Sequence, residues 1–200
     1  MVIIFLKQNH SLKILIWKII IQLILSRKKQ KKKAKKEYDE DGNLIFEGEY
    51  LNGKRNGKGK EYDYDGELIF EGEYLNGERY GKGKEYYDNS KLKFEGEYFN
   101  GERNGKGKEY HENGKLQFEG EFLNGKRNRK GKEYRQNQLV YEGEFLNGLR
   151  NGKGKEYDVG KNLKFEGEYL NGKRNGNGKE YGDDGNLKFE GIYLFTKIVS

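Results

Sequence analysis

A tandem repeat of 24 residues constrains the fold of this chain more than any other feature of its sequence. An aromatic residue followed by Glu-Gly recurs seven times, at spacings of 24, 24, 24, 23, 24 and 24 residues. The aromatic residues of this series are Phe46, Phe70, Phe94, Phe118, Tyr141, Phe165 and Phe189. A fixed period of this length is typical of repeat proteins, in which each unit packs only against its neighbours. The series predicts six complete units and a seventh that ends after a single strand.

Each unit carries the pattern of a β-hairpin. In the first unit Phe46, Gly48 and Tyr50 alternate with glutamates, which is the period of two that is typical of a strand. The following Asn-Gly pair predicts a turn, since both residue types adopt positive φ readily. A second strand follows through residues 58–62. An Asp-Gly or Asn-Gly pair forms the turn before the next unit at residues 41–42, 65–66, 113–114 and 184–185. The one 23-residue unit loses its residue at such a turn, around 135–137, so the strand register is preserved.

Joined end to end, these hairpins predict an all-β protein. The expected fold over residues 37–200 is a single-layer, elongated antiparallel sheet of about thirteen strands. No segment of this region has a helical pattern that would form a covering layer. The sheet must then be stabilised by aromatic side chains stacked on one of its faces. Gly48, between Phe46 and Tyr50, leaves room on that face for a neighbouring ring.

Composition and spacing exclude most forms of catalysis. The chain has no Cys and only two His. The glycine-rich stretch around Lys58 does not match a phosphate-binding loop, because that lysine stands where glycine is needed and no Ser or Thr follows. Glu47 and Glu49 recur in unit after unit on an open sheet, where nothing would separate their pKa values for acid–base chemistry. The acidic stretch 63–66 is better explained as a turn than as a calcium loop. We therefore expect no enzyme activity, no cofactor and no metal site.

Residues 1–36 form a separate region, predicted to be a hydrophobic or amphipathic helix followed by a polybasic arm. This region holds eleven of the 40 basic residues and no acidic residue, whereas residues 37–200 hold 29 basic and 33 acidic residues, a net charge of −4. As a helix, residues 12–25 would reach about 21 Å, short of a hydrocarbon core of ~30 Å. Lys18 and Gln22 would share one polar face, which favours a helix lying in the membrane interface. A single membrane crossing and a helix that caps the sheet are the alternatives.

The basic run of residues 27–36 carries eight positive charges in ten residues. Such a run favours contact with anionic membrane lipid, and it places the sheet at the cytoplasmic face of a membrane. The alternatives are a purely solubilising run and a protein of the cytoplasm or cytoskeleton. Nucleic acid is disfavoured as a partner, because no aromatic residue is interleaved with the basic ones. The predicted membrane contacts are Trp17, Lys18, Arg27, Lys28, Lys29, Lys31, Lys32 and Lys33.

Two further sets of residues are candidates for binding a protein partner. One arginine per unit lies beside the turn within the unit, namely Arg55, Arg79, Arg103, Arg127, Arg150 and Arg174. This row would bind phosphates or an acidic protein surface, or else pair with glutamates of neighbouring strands. The aromatic stripe of Phe46, Phe70, Phe94, Phe118, Tyr141 and Phe165 would offer a groove to a peptide or coiled coil, or else pack only on itself. The open ends of such a sheet also make a homodimer possible.

The unit is similar to the MORN repeat (membrane occupation and recognition nexus), which reads YxGExxxGxxxGxG followed by an aromatic residue and a turn. Residues 46–50, Gly53, residues 57–59 and Tyr62 carry this resemblance, and the repeated units extend it over most of the chain. Arg129 departs from the pattern, since other units have glycine there. The resemblance implies a non-catalytic scaffold that binds protein partners at membranes or in cytoskeletal structures. A detached regulatory module of a phosphatidylinositol-phosphate kinase-like enzyme is the alternative that it implies.

Overall fold

A single antiparallel sheet of fifteen strands contains nearly all the regular structure of the described residues. The computed structural model describes Lys18, residues 32–194 and the backbone of residues 197–199. Strand order in the sheet follows chain order throughout. The strands are β1 (Lys33–Tyr38), β2 (Leu44–Leu51), β3 (Lys54–Tyr62), β4 (Leu68–Leu75), β5 (Glu78–Tyr86), β6 (Leu92–Phe99), β7 (Glu102–Tyr110), β8 (Leu116–Leu123), β9 (Lys126–Arg135), β10 (Gln138–Leu146), β11 (Leu149–Tyr157), β12 (Leu163–Leu170), β13 (Lys173–Tyr181), β14 (Leu187–Leu194) and β15 (Lys197–Val199).

The hairpin within each unit closes through a two-residue turn. In the first unit Leu51 pairs with Lys54, which leaves only Asn52 and Gly53 in the turn. Both have positive φ, 51° and 78°. Two consecutive positive values match the type I′ turn, whose twist fits the right-handed twist of the flanking strands. The predicted Asn-Gly turn is therefore confirmed.

The turns between units are built on side-chain acceptors. The carboxylate of Asp63 accepts hydrogen bonds from the backbone N–H groups of Asp65 and Glu67, at 3.0 and 2.9 Å. This is the turn chemistry that the sequence predicts for this acidic stretch. In the 23-residue unit, Gln136 and Asn137 alone join β9 to β10, both with positive φ. The missing residue thus falls in a turn, as predicted, and the sheet continues without interruption.

A row of glycines crosses the sheet, one on each strand from β2 to β14. Gly48 pairs with Gly59, and Gly59 pairs in turn with Gly72 on the next strand. The full row is Gly48, Gly59, Gly72, Gly83, Gly96, Gly107, Gly120, Gly131, Gly143, Gly154, Gly167, Gly178 and Gly191. A Cβ atom at Gly107 would lie 2.4 Å from Cζ of Phe94. The glycines therefore let aromatic rings lie directly on the backbone of the sheet.

The core is a double row of rings on that same face. The ring of Phe94 meets Tyr98 of its own strand and Phe122 of the next unit edge to face, at centroid distances of 5.6 and 5.1 Å. Edge-to-face packing at this separation is favourable beyond the apolar area that it buries. The same contacts recur from unit to unit along the sheet. The single-layer, ring-stabilised architecture predicted from the sequence is confirmed.

The two ends of the sheet differ from the prediction. The sheet begins with β1 at Lys33, four residues before residue 37, where the array was predicted to start. Glu37 of this strand accepts a hydrogen bond from Arg55 at 2.6 Å, so β1 takes part in the contacts of the array. Residues 36–38 repeat the Lys-Glu-Tyr that ends the second strand of each unit, and Glu37 pairs with Phe46 as Glu61 pairs with Phe70. At the other end β15 pairs with β14, so the expectation that the array ends on a single strand is wrong. Of the predicted N-terminal helix only Lys18 lies within the described residues, so the helix stays a prediction.

We expect Gly107→Ala to lower the free energy of unfolding by about 1–3 kcal/mol, because the new methyl group overlaps the ring of Phe94. Gly114→Asn is the matched control. Gly114 lies in a turn with φ of 80° and no atom within 4 Å of its Cβ position. Asn adopts positive φ readily, so the control should stay within about 0.5 kcal/mol of the parent. Urea unfolding followed by circular dichroism measures both, and equal effects would contradict the role assigned to the glycine row.

Candidate functional site

The predicted arginine row lies over the core rings. The guanidinium carbon of Arg103 lies 4.2 Å from the centre of the Phe94 ring. The corresponding distance is between 3.9 and 4.5 Å in all six complete units. A cation over an aromatic face is attracted by the ring quadrupole. Each ring is thus enclosed between the glycine row beneath and a guanidinium above.

Each arginine also binds glutamates, so that Arg and Glu alternate across the sheet. Arg103 pairs with Glu85 of the preceding unit at 2.5 Å and with Glu109 of its own unit at 2.8 Å. Glu109 pairs in turn with Arg127 at 2.6 Å. The same pairs recur from Glu37 to Glu180, except that Arg79 pairs with Glu61 alone. Of the two interpretations left open for the arginines, pairing with neighbouring glutamates is the one that the structure shows.

Three glutamates of this row have lowered pKa values, namely Glu61, Glu85 and Glu156. Burial raises the pKa of Glu85, but hydrogen bonds and Coulombic attraction from Arg103, together with a hydrogen bond from Tyr98, outweigh it and hold the pKa below its ordinary value. The pKa values of Glu61 and Glu156 are lowered for the same reasons. A general acid at neutral pH needs a raised pKa instead. The row is therefore suited to holding the sheet together.

The structure places the predicted partner-binding rings inside the core. The six rings of the stripe expose none of their surface. The arginine side chains above them are between 17% and 26% exposed. The stripe therefore does not form an open aromatic groove, because neighbouring rings and guanidinium groups fill the space around each ring.

The opposite face carries a trough that follows the glycine row and has a volume of about 2070 Å³. Its floor is glycine backbone, and its walls are lysine and glutamate side chains. Glu95 and Glu97 of β6, for example, stand opposite Lys84 and Lys82 of β5. Glutamates thus line the trough on one strand and lysines on the next. The trough was not predicted, although the alternating Glu-Gly-Glu and Lys-Gly-Lys triplets of the sequence are its signal.

Both glutamates of the first Glu-Gly-Glu triplet accept hydrogen bonds from a neighbouring strand. The hydroxyl of Tyr62 donates to Glu47 at 2.8 Å, and the backbone N–H of Lys58 donates to Glu49 at 2.9 Å. These hydrogen bonds are the main causes that lower the pKa values of Glu47 and Glu49. The pKa values of both carboxyl groups are therefore shifted in the same direction. The pair therefore lacks the opposed pKa shifts that a catalytic acid and base would need.

Arg129 adopts a positive φ at a position where the other units have glycine. Its φ is 56°, in the region that the equivalent glycines occupy. Its guanidinium lies 3.6 Å from the carboxylate of Glu121. Glu121 pairs with Asn128, so the register between β8 and β9 shifts between Gly120 and Glu121. The departure thus changes the bulge of the fourth unit and leaves the strand order intact.

Comparison with protein families agrees with this geometry. The model described as MORN repeat matches residues 46–67, 118–140, 141–160 and 165–187. The model described as MORN repeat variant matches residues 34–52, 79–100 and 103–124. Together these segments cover more than half of the chain. The chain belongs to the MORN-repeat family. No curated protein matches it in sequence.

No group of three or more His, Asp or Glu side chains that could hold a metal ion occurs within the described residues. In the same part of the chain, no helix is long and apolar enough to cross a membrane.

Three of the predicted membrane contacts lie within the described residues. Lys18 is exposed, and Nζ of Lys32 lies 3.0 Å from the carboxylate of Glu49. Lys33 is the first residue of β1 and pairs with Tyr50. The remaining contacts lie outside the described residues and stay predictions: Trp17, Arg27, Lys28, Lys29 and Lys31.

We expect Arg103→Lys to lower the free energy of unfolding by about 1–3 kcal/mol, since an ammonium group can neither bridge two carboxylates nor stack on a ring as a planar guanidinium does. The matched control is Arg129→Lys, at a side chain that is 77% exposed. The control should change stability by less than about 0.5 kcal/mol. Urea unfolding measures both variants. An Arg103→Lys variant as stable as the control would contradict the stabilising role assigned to the arginines over the core rings.

We expect stability to be greatest between about pH 5 and pH 9. The lowered pKa values of Glu61, Glu85 and Glu156 give stability that is present above their ordinary pKa of 4.5 and is lost as the pH falls below it. Burial, followed by the hydrogen bond to Glu47, raises the pKa of Tyr62 from 10.0 to about 12. The stability that neutral Tyr62 adds to the fold is present below pH 10 and is lost as the pH rises towards 12. Urea midpoints measured across this range should fall at both ends.

Proposed function

We propose that this protein is a non-catalytic scaffold, which holds protein partners on its MORN array and is attached to the cytoplasmic face of a membrane through residues 1–36. The observation that carries the proposal is the repetition of the array. The same charged and aromatic side chains bind one another in successive units, and each such set has a role in the fold. What remains for function is a long, regular surface that presents the same groups many times, which suits binding rather than catalysis.

The trough face is the surface that we assign to protein partners. Its lysine and glutamate side chains are largely half-exposed, for example 48% for Lys84 and 35% for Glu71. A floor of backbone between polar rims resembles the anatomy of protein interfaces, in which a less polar centre is bordered by charged groups. Thirteen strands at a spacing of about 4.8 Å make the trough roughly 60 Å long. This length suits an extended segment of a partner, such as a long helix.

The membrane contact is assigned to the basic run because of the way charge is distributed. Eight positive charges lie within residues 27–36, whereas residues 37–200 carry a net charge of −4. An anionic lipid surface attracts such a run by about 1 kcal/mol per basic residue, and the apolar residues 12–25 would add insertion into the interface. The array itself has no comparable excess of positive charge.

Flotation with vesicles of phosphatidylcholine and phosphatidylserine tests the attachment. Replacing Arg27, Lys28, Lys29 and Lys31 with Gln in the full chain should weaken vesicle binding by about 10²–10³-fold, from about 1 kcal/mol per charge. The matched control replaces four trough lysines, Lys60, Lys84, Lys108 and Lys132, with Gln. The control should float like the parent. If both variants lose binding equally, the repeats contact the lipid and the proposed attachment is wrong.

A further inference from the structure

An exposed apolar stripe runs along the edge of the sheet where the Asn-Gly turns lie. It consists of the residues that directly precede these turns, which are between 37% and 52% exposed: Leu75, Phe99, Leu123, Leu146 and Leu170. Leu51 occupies the same position in the first unit and is half-buried. Since side chains alternate along a strand, these residues share the trough face with the triplet glutamates. Charged strand partners such as Lys54 and Glu78 separate its members, and an exposed row of large apolar residues of this kind is a candidate binding surface.

The chain enters the sheet at this same edge. Lys33, the first residue of β1, pairs with Tyr50, whose neighbour Leu51 begins the stripe. Lys32 already pairs with Glu49 on the trough face. The first described residues of β1 therefore lie beside Leu51, the first member of the stripe.

We propose that residues 12–25 of the same chain dock along this exposed apolar stripe, over Leu51, Leu75 and Phe99. The segment has eleven apolar residues out of fourteen. As a helix it would be about 21 Å long, and the connecting residues 26–31 span up to about 20 Å. Leu75 and Phe99 lie three and five strand spacings from β1, about 14 and 24 Å away. Both are therefore within reach of the tethered segment.

Two properties of the chain favour this occupant over a separate molecule. A short tether holds the segment near the stripe at an effective concentration in the millimolar range, so a modest apolar contact is enough. The basic run that forms the tether also meets a sheet of net negative charge, and the Lys32–Glu49 and Lys36–Glu47 pairs, at 3.0 and 3.5 Å, lie on the trough face. Docking does not depend on a membrane. It gives the apolar segment a second surface that competes with lipid.

Trp17 is the only tryptophan of the chain, so its fluorescence reports the surroundings of this segment alone. In lipid-free buffer the full chain should show blue-shifted emission and weak quenching by acrylamide. The variant L75S/F99S should shift the emission to the red and raise the quenching constant severalfold. The matched control L146S/L170S alters two equally exposed members of the stripe. These lie about 43 Å or more from β1, beyond the reach of the tethered helix, so the control should behave like the parent.

Identical emission and quenching in the parent and in L75S/F99S would overturn the proposal. A red shift on dilution of the parent would also overturn it, because the occupant would then be a second copy of the chain. A disulfide provides a second measurement, since the chain has no cysteine of its own. Ile14→Cys combined with Leu75→Cys should form a disulfide within one chain on oxidation, whereas Ile14→Cys combined with Leu170→Cys should not. Equal disulfide yields from the two pairs would count against docking at the first units.

Discussion

The structure depends on one recurring arrangement, an aromatic ring held between bare backbone and a guanidinium group. Phe94 lies on Gly107 and beneath Arg103, and the next rings close its sides. A single-layer sheet has no second sheet or helix to cover its apolar face, yet this ring is completely buried. The arginine takes the place of the missing layer, because its planar group covers a ring while its nitrogens remain bonded to carboxylates.

The same arrangement explains why the charged residues are so numerous and so regular. A guanidinium placed over a ring must be kept from turning to solvent, and the glutamates on either side hold it there. Each arginine pairs with a glutamate of the strand that precedes its own unit, so the pairs link every unit to the next. Formation of one unit therefore supports its neighbours, as is expected for repeat proteins, whose stability is built from nearest-neighbour interfaces.

The two faces of the sheet expose different groups as a result. On the core face, rings, arginines and glutamates satisfy one another and leave little to offer a partner. On the other face the glycine row leaves a trough between charged rims, and the leucines that precede the turns remain exposed. The proposed binding surfaces therefore lie on the trough face and at its turn edge, and not over the aromatic stripe.

The sequence by itself determined the repeat, the hairpins, the turns and the single layer, because these follow from local rules such as the alternation around Gly48 and the positive φ of Asn52 and Gly53. It also raised the pairing of Arg with Glu as one of two possibilities. Only the tertiary structure decided between them, since pairing depends on which strands become neighbours. The burial of Phe46, the trough and the entry of β1 into the sheet likewise depend on contacts between units. A pattern within one strand carries no information on what lies above or beside it.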